Sequence, residues 1–220
     1  MTARALSRYF AYEGLSTDTH VTDQHTTYGT KIIVATKREA HYVLDEILGN
    51  ATDIPITEHA TDTHGVTLVN FGLQLSPRIR DLGKITRYRT GSKSEVESAF
   101  PLTGPLMTRE LNTDLIAEHW DELLRLAGSL KFGHATASLL VGKLSASSRQ
   151  NALAAALKEY GALRRTIYAA RYLSDPAYRR KISRQLNKGE SLHALKRDLL
   201  YAHEGMVRAR HLDQQTEQAW

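Results

Sequence analysis

The sequence predicts a mixed α/β protein in which a small sheet comes first and an array of helices follows. Short β-branched runs, led by Lys31-Ile32-Ile33-Val34-Ala35, fall within the first 90 residues. Beyond residue 105, apolar residues recur at three- and four-residue steps, the period of a helix with one buried face. Between the two regions, residues 89–105 carry Gly, Ser, Lys and Pro with little periodicity and read as a loop or hinge.

The elements follow in order. Residues 17–27 are rich in Thr, with Val21 flanked by polar residues. Residues 31–35 form a buried strand. Residues 37–49 place Ala40, Val43, Leu44, Ile47 and Leu48 at helical spacing, and Gly49-Asn50 supplies a stop. Ile54-Pro55-Ile56-Thr57 leads into a short strand ending near Thr61-Asp62. A short helix is expected over 66–73 and a strand over 75–79, with Pro77 confining that strand to an edge or to its own start. Leu115, Ile116, Trp120, Leu123, Leu124, Ala127 and Leu130 define one long amphipathic helix, capped by Asn112 or Thr113. Residues 148–172 repeat the pattern with Leu153, Leu157, Tyr160, Leu163 and Ile167. Asp175-Pro176 is a helix start with proline in the first turn. The helix it opens has Tyr178, Ile182 and Leu186 on one side and is expected to end at Asn187-Lys188-Gly189. Glu190 then opens another helix, carrying Leu192, Leu195 and Leu199.

Composition narrows the class. The chain has 220 residues, 41% hydrophobic and 24% charged, which suits a folded domain with one core or one core and an annex. No apolar stretch approaches the ~20 residues needed to span a bilayer, and the first residues have no apolar segment of a secretory signal. There is no cysteine, which excludes disulfides and thiolate metal sites and fits a reducing compartment. Net charge is +5 and unevenly spread: residues 141–220 hold 15 Lys and Arg against 7 Asp and Glu. The C-terminal third is therefore either a polyanion-binding surface or a set of solvated helix faces.

Common catalytic signatures are missing. There is no Gly-x-Gly-x-x-Gly, no Walker loop, no Gly-x-Ser-x-Gly and no His-Glu-x-x-His. Two carboxylates remain of interest. Asp62 stands at the end of an expected strand, before His64-Gly65, where an Asp can either hold a divalent cation or cap the next helix. Glu190 follows Gly189 in an expected first helical turn, where the helix dipole favours the ionised form that a hard cation needs; an ordinary first-turn Glu would look the same. His59 and His64 flank Asp62. His193 lies three residues beyond Glu190, on the same helical face, so His64 and His193 are candidate accessory groups or plain surface histidines. Arg149, Arg164, Arg165, Arg171, Arg179, Arg180, Lys181, Arg184 and Lys188 lie on successive helices with Tyr160, Tyr168, Tyr172 and Tyr178 interleaved. They could track a DNA backbone, although some of the tyrosines fall on apolar stripes and must be core.

Six strings occur in a fixed order: Thr61-Asp62-Thr63-His64-Gly65, Pro77-Arg78-Ile79-Arg80-Asp81-Leu82, the run from His119-Trp120-Asp121 to Ser129-Leu130, Thr136-Ala137-Ser138-Leu139-Leu140, Ser148-Arg149-Gln150-Asn151-Ala152-Leu153, and Leu186-Asn187-Lys188-Gly189-Glu190. Together they resemble the catalytic region of transposases of the Tn-three family of replicative transposons, over nearly the whole chain. The resemblance implies a DDE-type enzyme that nicks DNA and transfers the freed 3′-hydroxyl, using Mg²⁺, with Mn²⁺ as an alternative. It maps the second aspartate of the triad onto Asp62 and the glutamate onto Glu190, both as catalytic residues and metal ligands. It further implies an incomplete RNase H-like core with a large helical insertion: residues 1–88 as partial core, 89–112 as loop or hinge, 113–186 as helical insertion, and 187–220 as C-terminal helices of the core carrying the Glu. The DNA-facing set would be Arg149, Arg164, Arg165, Arg179, Arg180, Lys181, Arg184 and Lys188. The partners implied are transposon-end and target DNA and a second copy of the full-length transposase, with no membrane, in the bacterial cytoplasm and on the nucleoid when DNA-bound.

Departures bear on activity. The family's first aspartate lies in a Ser-Ser-Asp-Gly string that this sequence lacks, and by spacing it would fall upstream of Met1; Asp23 matches a different family string. Family members also run on beyond Trp220. The expectation is a chain truncated at both ends, marginally stable, with little strand-transfer activity alone. The rival class is a DNA-binding or transposase-interacting remnant without chemistry, separated from the first by metal binding at Asp62 and Glu190. A tyrosine recombinase is disfavoured, because Arg164, Arg165 and Tyr168 lack the order and spacing of that family's catalytic Arg, His and Tyr.

Overall fold

A computed structural model describes residues 5–6, 13–34, 42–50, 55–61, 76–147 and 151–201. The fold is mixed, with small sheets at the start and mostly helices after them. Strand β1 (Ala5–Leu6) pairs antiparallel with β2 (Glu13–Val21), which pairs antiparallel with β3 (Thr27–Val34). The Thr-rich stretch is thus most of a hairpin, and Ile33 is its buried anchor. The turn is built on Thr22: its Oγ1 accepts from the backbone N–H of Gln24 and of Thr26, each at 3.2 Å. His25 takes the left-handed conformation there, with φ 62°, which is uncommon for a residue with a Cβ.

Helix α1 (Val43–Leu48) follows, and Gly49 closes it by donating to Asp45 O at 2.8 Å. Strands β4 (Ala60–Thr61) and β5 (Ser76–Pro77) form a short parallel pair, as do β6 (Tyr88–Arg89) and β7 (Arg109–Glu110). Pro77 stands in a strand of only two residues, consistent with its missing N–H. The helix expected over 66–73 lies outside the described residues.

The region expected to be a loop over 89–105 is more ordered than its composition implies. It contains helix α2 (Lys93–Ala99) and a 3₁₀ turn (Gly104–Leu106). The reason is local: Ser92 and Glu95 form a reciprocal capping box, each side chain accepting from the other's backbone N–H. Gly104 then lets the turn lie against α2, since a Cβ there would fall 2.8 Å from Glu97 Cα and from Val96 O.

The single helix expected over 115–130 is two, α3 (Thr113–Glu118) and α4 (Trp120–Lys131), joined at His119. The break rotates the apolar stripe, leaving Trp120 and Leu124 largely exposed while Leu123 and Leu130 are buried. Asn112 is the cap of α3, accepting from Leu115 N at 2.9 Å. Helix α5 (Ala137–Ser147) starts on Asp45 of α1, whose Oδ1 accepts from Ser138 N at 3.1 Å. Asn151 caps the long α6 (Ala152–Ser174), and Asp175 caps α7 (Pro176–Tyr201) by accepting from Tyr178 N at 2.9 Å.

Helix α7 corrects another expectation. Asn187-Lys188-Gly189 does not end a helix, and Glu190 does not begin one; the helix is continuous through all four. A glycine inside a helix costs about 1 kcal/mol relative to alanine. Contacts on both sides of Gly189 offset that cost: Lys188 Nζ donates to Asp23 O at 2.6 Å, and Glu190 pairs with Arg78 at 3.2 Å.

Two apolar clusters hold the helices. One joins Leu44 of α1 to Ile116, Leu123, Leu130, Val141, Leu144 and Leu157 of α3 to α6. The other joins Ile79 to Ala169, Tyr172, Tyr178 and Ile182 of α6 and α7, with Ala60 of β4 packed against it. The second cluster seats α7 on the β4–β5 pair. Among the described residues, no helix is long and apolar enough to cross a membrane.

Ile182 is 1% exposed at the centre of that seat. Ile182→Ala is expected to lower unfolding free energy by roughly 2–5 kcal/mol, measured by urea denaturation. A loss under about 0.5 kcal/mol, typical of a surface site, would contradict the packing described.

Candidate active site

The site is built where β4 ends. Ser76 N donates to His59 O at 2.9 Å, and Arg78 N donates to Thr61 O at 2.8 Å. These bonds fix the last described residue before Asp62. Asp62 and His64 themselves lie outside the described residues, as does Arg149.

Helix α7 is clamped to this strand pair by Glu58. Its Oε1 accepts from Ser76 Oγ at 2.9 Å and from Tyr178 OH at 2.5 Å, and its Oε2 accepts from Lys181 Nζ at 2.5 Å. Burial pushes the Glu58 carboxyl up, but the bonds from Lys181, Tyr178 and Ser76 outweigh it and hold the group below the usual carboxylate range. Tyr178 moves up in turn, through burial first and then its bond to Glu58. Helix α6 contributes Tyr168, whose OH donates to Pro77 O at 2.6 Å; burial raises that phenol strongly. The hairpin is tied to the same helix, since Gln185 Nε2 donates to Val21 O at 3.2 Å and Lys188 Nζ to Asp23 O.

Glu190 stands one turn further along α7, with its side chain 66% exposed. Arg78 Nη2 donates to its Oε1 at 3.2 Å, and Arg78 Nη1 donates to Asn187 Oδ1 at 3.5 Å. The same arginine therefore bonds Thr61 through its backbone and Glu190 through its side chain. That juxtaposition brings the Glu190 carboxylate to the strand end leading into Asp62, across a sequence separation of more than 100 residues.

Behind the strand end, His20 of β2 is 2% exposed. Tyr28 OH lies 3.3 Å from its Nδ1, Asp18 Oδ2 lies 3.4 Å from its Nε2, and the His59 ring centroid is 5.1 Å from its own. His59 is pushed down to about 4 by burial and by His20, against an opposing pull from Asp18. Tyr28 is pushed up to about 12 by burial, with Asp18 and Glu46 adding to it.

A carboxylate oxygen is a hard donor, the type that Mg²⁺ and Mn²⁺ take. Among the described residues no group of three or more His, Asp or Glu is arranged to hold a metal ion. His193 lies a turn beyond Glu190 on α7 and is exposed.

The basic residues divide by environment. Arg165 turns inward, with Nη2 donating to Thr86 O at 3.2 Å and its guanidinium over the Tyr88 ring; burial lowers its pKa. Arg179 Nη1 donates to Tyr172 O and Leu173 O, capping the end of α6. Lys181 and Lys188 hold Glu58 and Asp23 O. Arg180 and Arg184 are exposed one turn apart on α7, and Arg164 is half-buried. Sequence reasoning had Arg78 in hand within Pro77-Arg78-Ile79 but gave it no role, and it passed over Glu58. Both roles depend on α7, a partner too distant in sequence to suggest itself.

Comparison with known proteins places the chain in context. The family model for the Tn3 transposase DDE domain matches residues 1–220. The transposase of transposon Tn1546 from Enterococcus faecium is 39% identical over 99% of this chain and 22% of its own length. The transposase of Tn21 from Escherichia coli is 38% identical over 96% of this chain and 22% of its own, and that of Tn501 from Pseudomonas aeruginosa 38% over 91% and 20%. The chain thus spans about a fifth of the length of the curated relatives it matches. No solved structure matches it.

The histidine cluster and Glu58 make the fold acid-sensitive. His59 has a folded pKa of about 4 against an ordinary 6.5, so the unfolded chain takes up the proton first. Its contribution is complete above pH 6.5 and is lost as pH falls toward 4. Glu58, with its pKa lowered, adds a loss at still lower pH. Thermal melts between pH 7 and 4 should therefore fall steadily, and His59→Gln should flatten that fall. An unchanged slope in the variant would contradict the assignment.

Proposed function

The chain belongs to the Tn3 transposase DDE domain family, and we propose that it carries the second aspartate and the glutamate of a DNA-transposition active site, Asp62 and Glu190. The observation that carries this reading is the Arg78 link, which sets Glu190 beside the strand end that continues into Asp62. An RNase H-like core with a helical insertion over 113–186 is the architecture this reading entails.

The reaction is nicking at a transposon end followed by attack of the freed 3′-hydroxyl on target DNA. A divalent cation supplies charge neutralisation at the phosphodiester and activation of the attacking oxygen. The protein's own work is to hold and orient. The Glu190 carboxylate is a hard oxygen ligand on a rigid helix, and α7 keeps it at one depth relative to β4. Arg180 and Arg184, exposed one turn apart, meet the DNA backbone and contribute affinity and not sequence choice. No Ser-Ser-Asp-Gly string occurs in these residues, so the isolated chain is expected to bind metal weakly and not to cleave DNA.

The second reading is a DNA-binding module without chemistry, and the exposed arginines of α7 favour it equally. Metal affinity separates the two. Titration of the chain with Mn²⁺ is expected to show a site that Asp62→Ala and Glu190→Ala each weaken by roughly tenfold or more; unchanged affinity in both variants would support the module without chemistry. For DNA, Arg180→Glu combined with Arg184→Glu should weaken duplex binding and reduce the slope of log affinity against log salt by about 2. An unaltered slope would place the DNA on another surface.

A further inference from the structure

The β6–β7 pair carries an arginine on each strand, and the two are built differently. Arg89 lies across from Glu110, and its Nη2 donates to that carboxylate at 3.1 Å, so its charge is met within the pair. Arg109 lies across from Tyr88 and is exposed. Its side chain has no hydrogen bond or ion pair among the described residues. The charged group that it faces is another arginine. Arg165 of α6 turns inward over the Tyr88 ring, 5.6 Å from the ring centre, with Nη2 on Thr86 O at 3.2 Å. Its Nε is buried without a hydrogen-bond partner. Burial lowers the Arg165 pKa, Tyr88 opposes that shift, and the like charge of Arg109 adds to it. Two cations therefore stand together with a phenol and a carbonyl for company and no carboxylate paired with either.

Resting on the reading that this chain binds duplex DNA, we propose that Arg109, backed by Arg165, holds a backbone phosphate of DNA and forms a contact separate from Arg180 and Arg184. Arg109 touches the phosphate; Arg165 stays inward and acts through its charge. Three physical points support this. An anion at Arg109 offsets the repulsion between the two guanidiniums, which nothing in the fold offsets. A partly buried charge is screened by salt less than an exposed one, so Arg165 adds to the field at Arg109. A guanidinium fork matches the oxygens of a phosphate, and the open Arg109 fork has no competing partner to give up. The surroundings keep the two arginines together, because Tyr88 N donates to Thr166 Oγ1 of α6 at 3.0 Å and ties β6 to the helix that carries Arg165. The place also differs from the α7 surface: β6 meets α6 at Thr166, whereas α7 packs on Ala169 and Tyr172. DNA that spans both surfaces is held at two points, on the β6–β7 pair and on α7.

The test is fluorescence anisotropy of a labelled duplex against salt, for the full chain, Arg109→Gln, Arg109→Lys, the Arg180→Glu and Arg184→Glu double variant, and the triple variant that adds Arg109→Gln to it. Arg109→Gln should weaken binding and reduce the slope of log affinity against log salt by about 1, and Arg109→Lys should restore the slope. The triple variant should lose about 1 more than the double, because separate contacts add. Arg109→Gln also removes a repulsion, so it should melt no lower than the unmodified chain. A lower melting temperature would mark Arg109 as structural and overturn the proposal. So would an unaltered slope in Arg109→Gln while the double variant lowers it, a result that leaves the DNA reading standing. Absence of duplex binding in the unmodified chain would sink the DNA reading and this contact with it. Calorimetric titration with inorganic phosphate separates the remaining source: phosphate binding that Arg109→Gln abolishes, with no change in the duplex slope, would assign the place to a small anion and overturn DNA as its partner.

Discussion

The seating of α7 is the constraint on which the candidate site depends. An unbroken helix rises about 1.5 Å per residue, so the span from Tyr178 to Glu190 is a rigid rod of roughly 18 Å. Tyr178, Ile182 and Leu186 bury one face of it against Ile79, Ala169 and Ala60. Glu58 grips one flank through Tyr178 and Lys181, and the hairpin grips it further along through Gln185 and Lys188. With those points fixed, the depth of Glu190 relative to the end of β4 is fixed as well. A helix that stopped at Gly189 would leave the carboxylate on a separate element and lose that registration.

Electrostatics follows from the same seating. Each carboxylate that α7 carries or touches near the strand end has a cation beside it: Glu58 has Lys181 and Glu190 has Arg78. The two pairs differ in what they can do. Glu58 is half-buried and saturated by Ser76, Tyr178 and Lys181, so it serves as a structural clamp. Glu190 is open to solvent and paired with Arg78. Half-buried His59, just before β4, stacks near buried His20; it is neutral at ordinary pH and adds no charge near the strand end.

Local chemistry was legible in the sequence where it was self-contained. The stops and starts at Gly49, Asn112 and Asp175 depend on backbone groups a few residues away, and each stands where the sequence put it. The ordered motifs pointed to the family, which the whole-chain match bears out. Tertiary contacts were less legible. Asn187-Lys188-Gly189 looked like a helix end because the bonds that carry the helix through it come from Asp23 and Arg78. Helix α2 hid in a polar stretch because its stability comes from a capping box and not from an apolar stripe. Arg165, Arg179, Lys181 and Lys188 looked like a phosphate-facing row because a sequence shows charge and not direction. Their carbonyl and carboxylate partners turn them inward or sideways and leave Arg180 and Arg184 exposed.

Under the proposed function, Asp62 and Glu190 hold one cation between them. Iron-directed cleavage tests this proposal. Fe²⁺ in place of Mg²⁺, with peroxide and ascorbate, generates radicals that cut the backbone only close to the bound ion. Convergence of the two carboxylates predicts paired cuts, one near residue 62 and one near residue 190, both suppressed by excess Mg²⁺ and both lost in Glu190→Gln. Cuts at one segment alone, or cuts that persist in that variant, would contradict it.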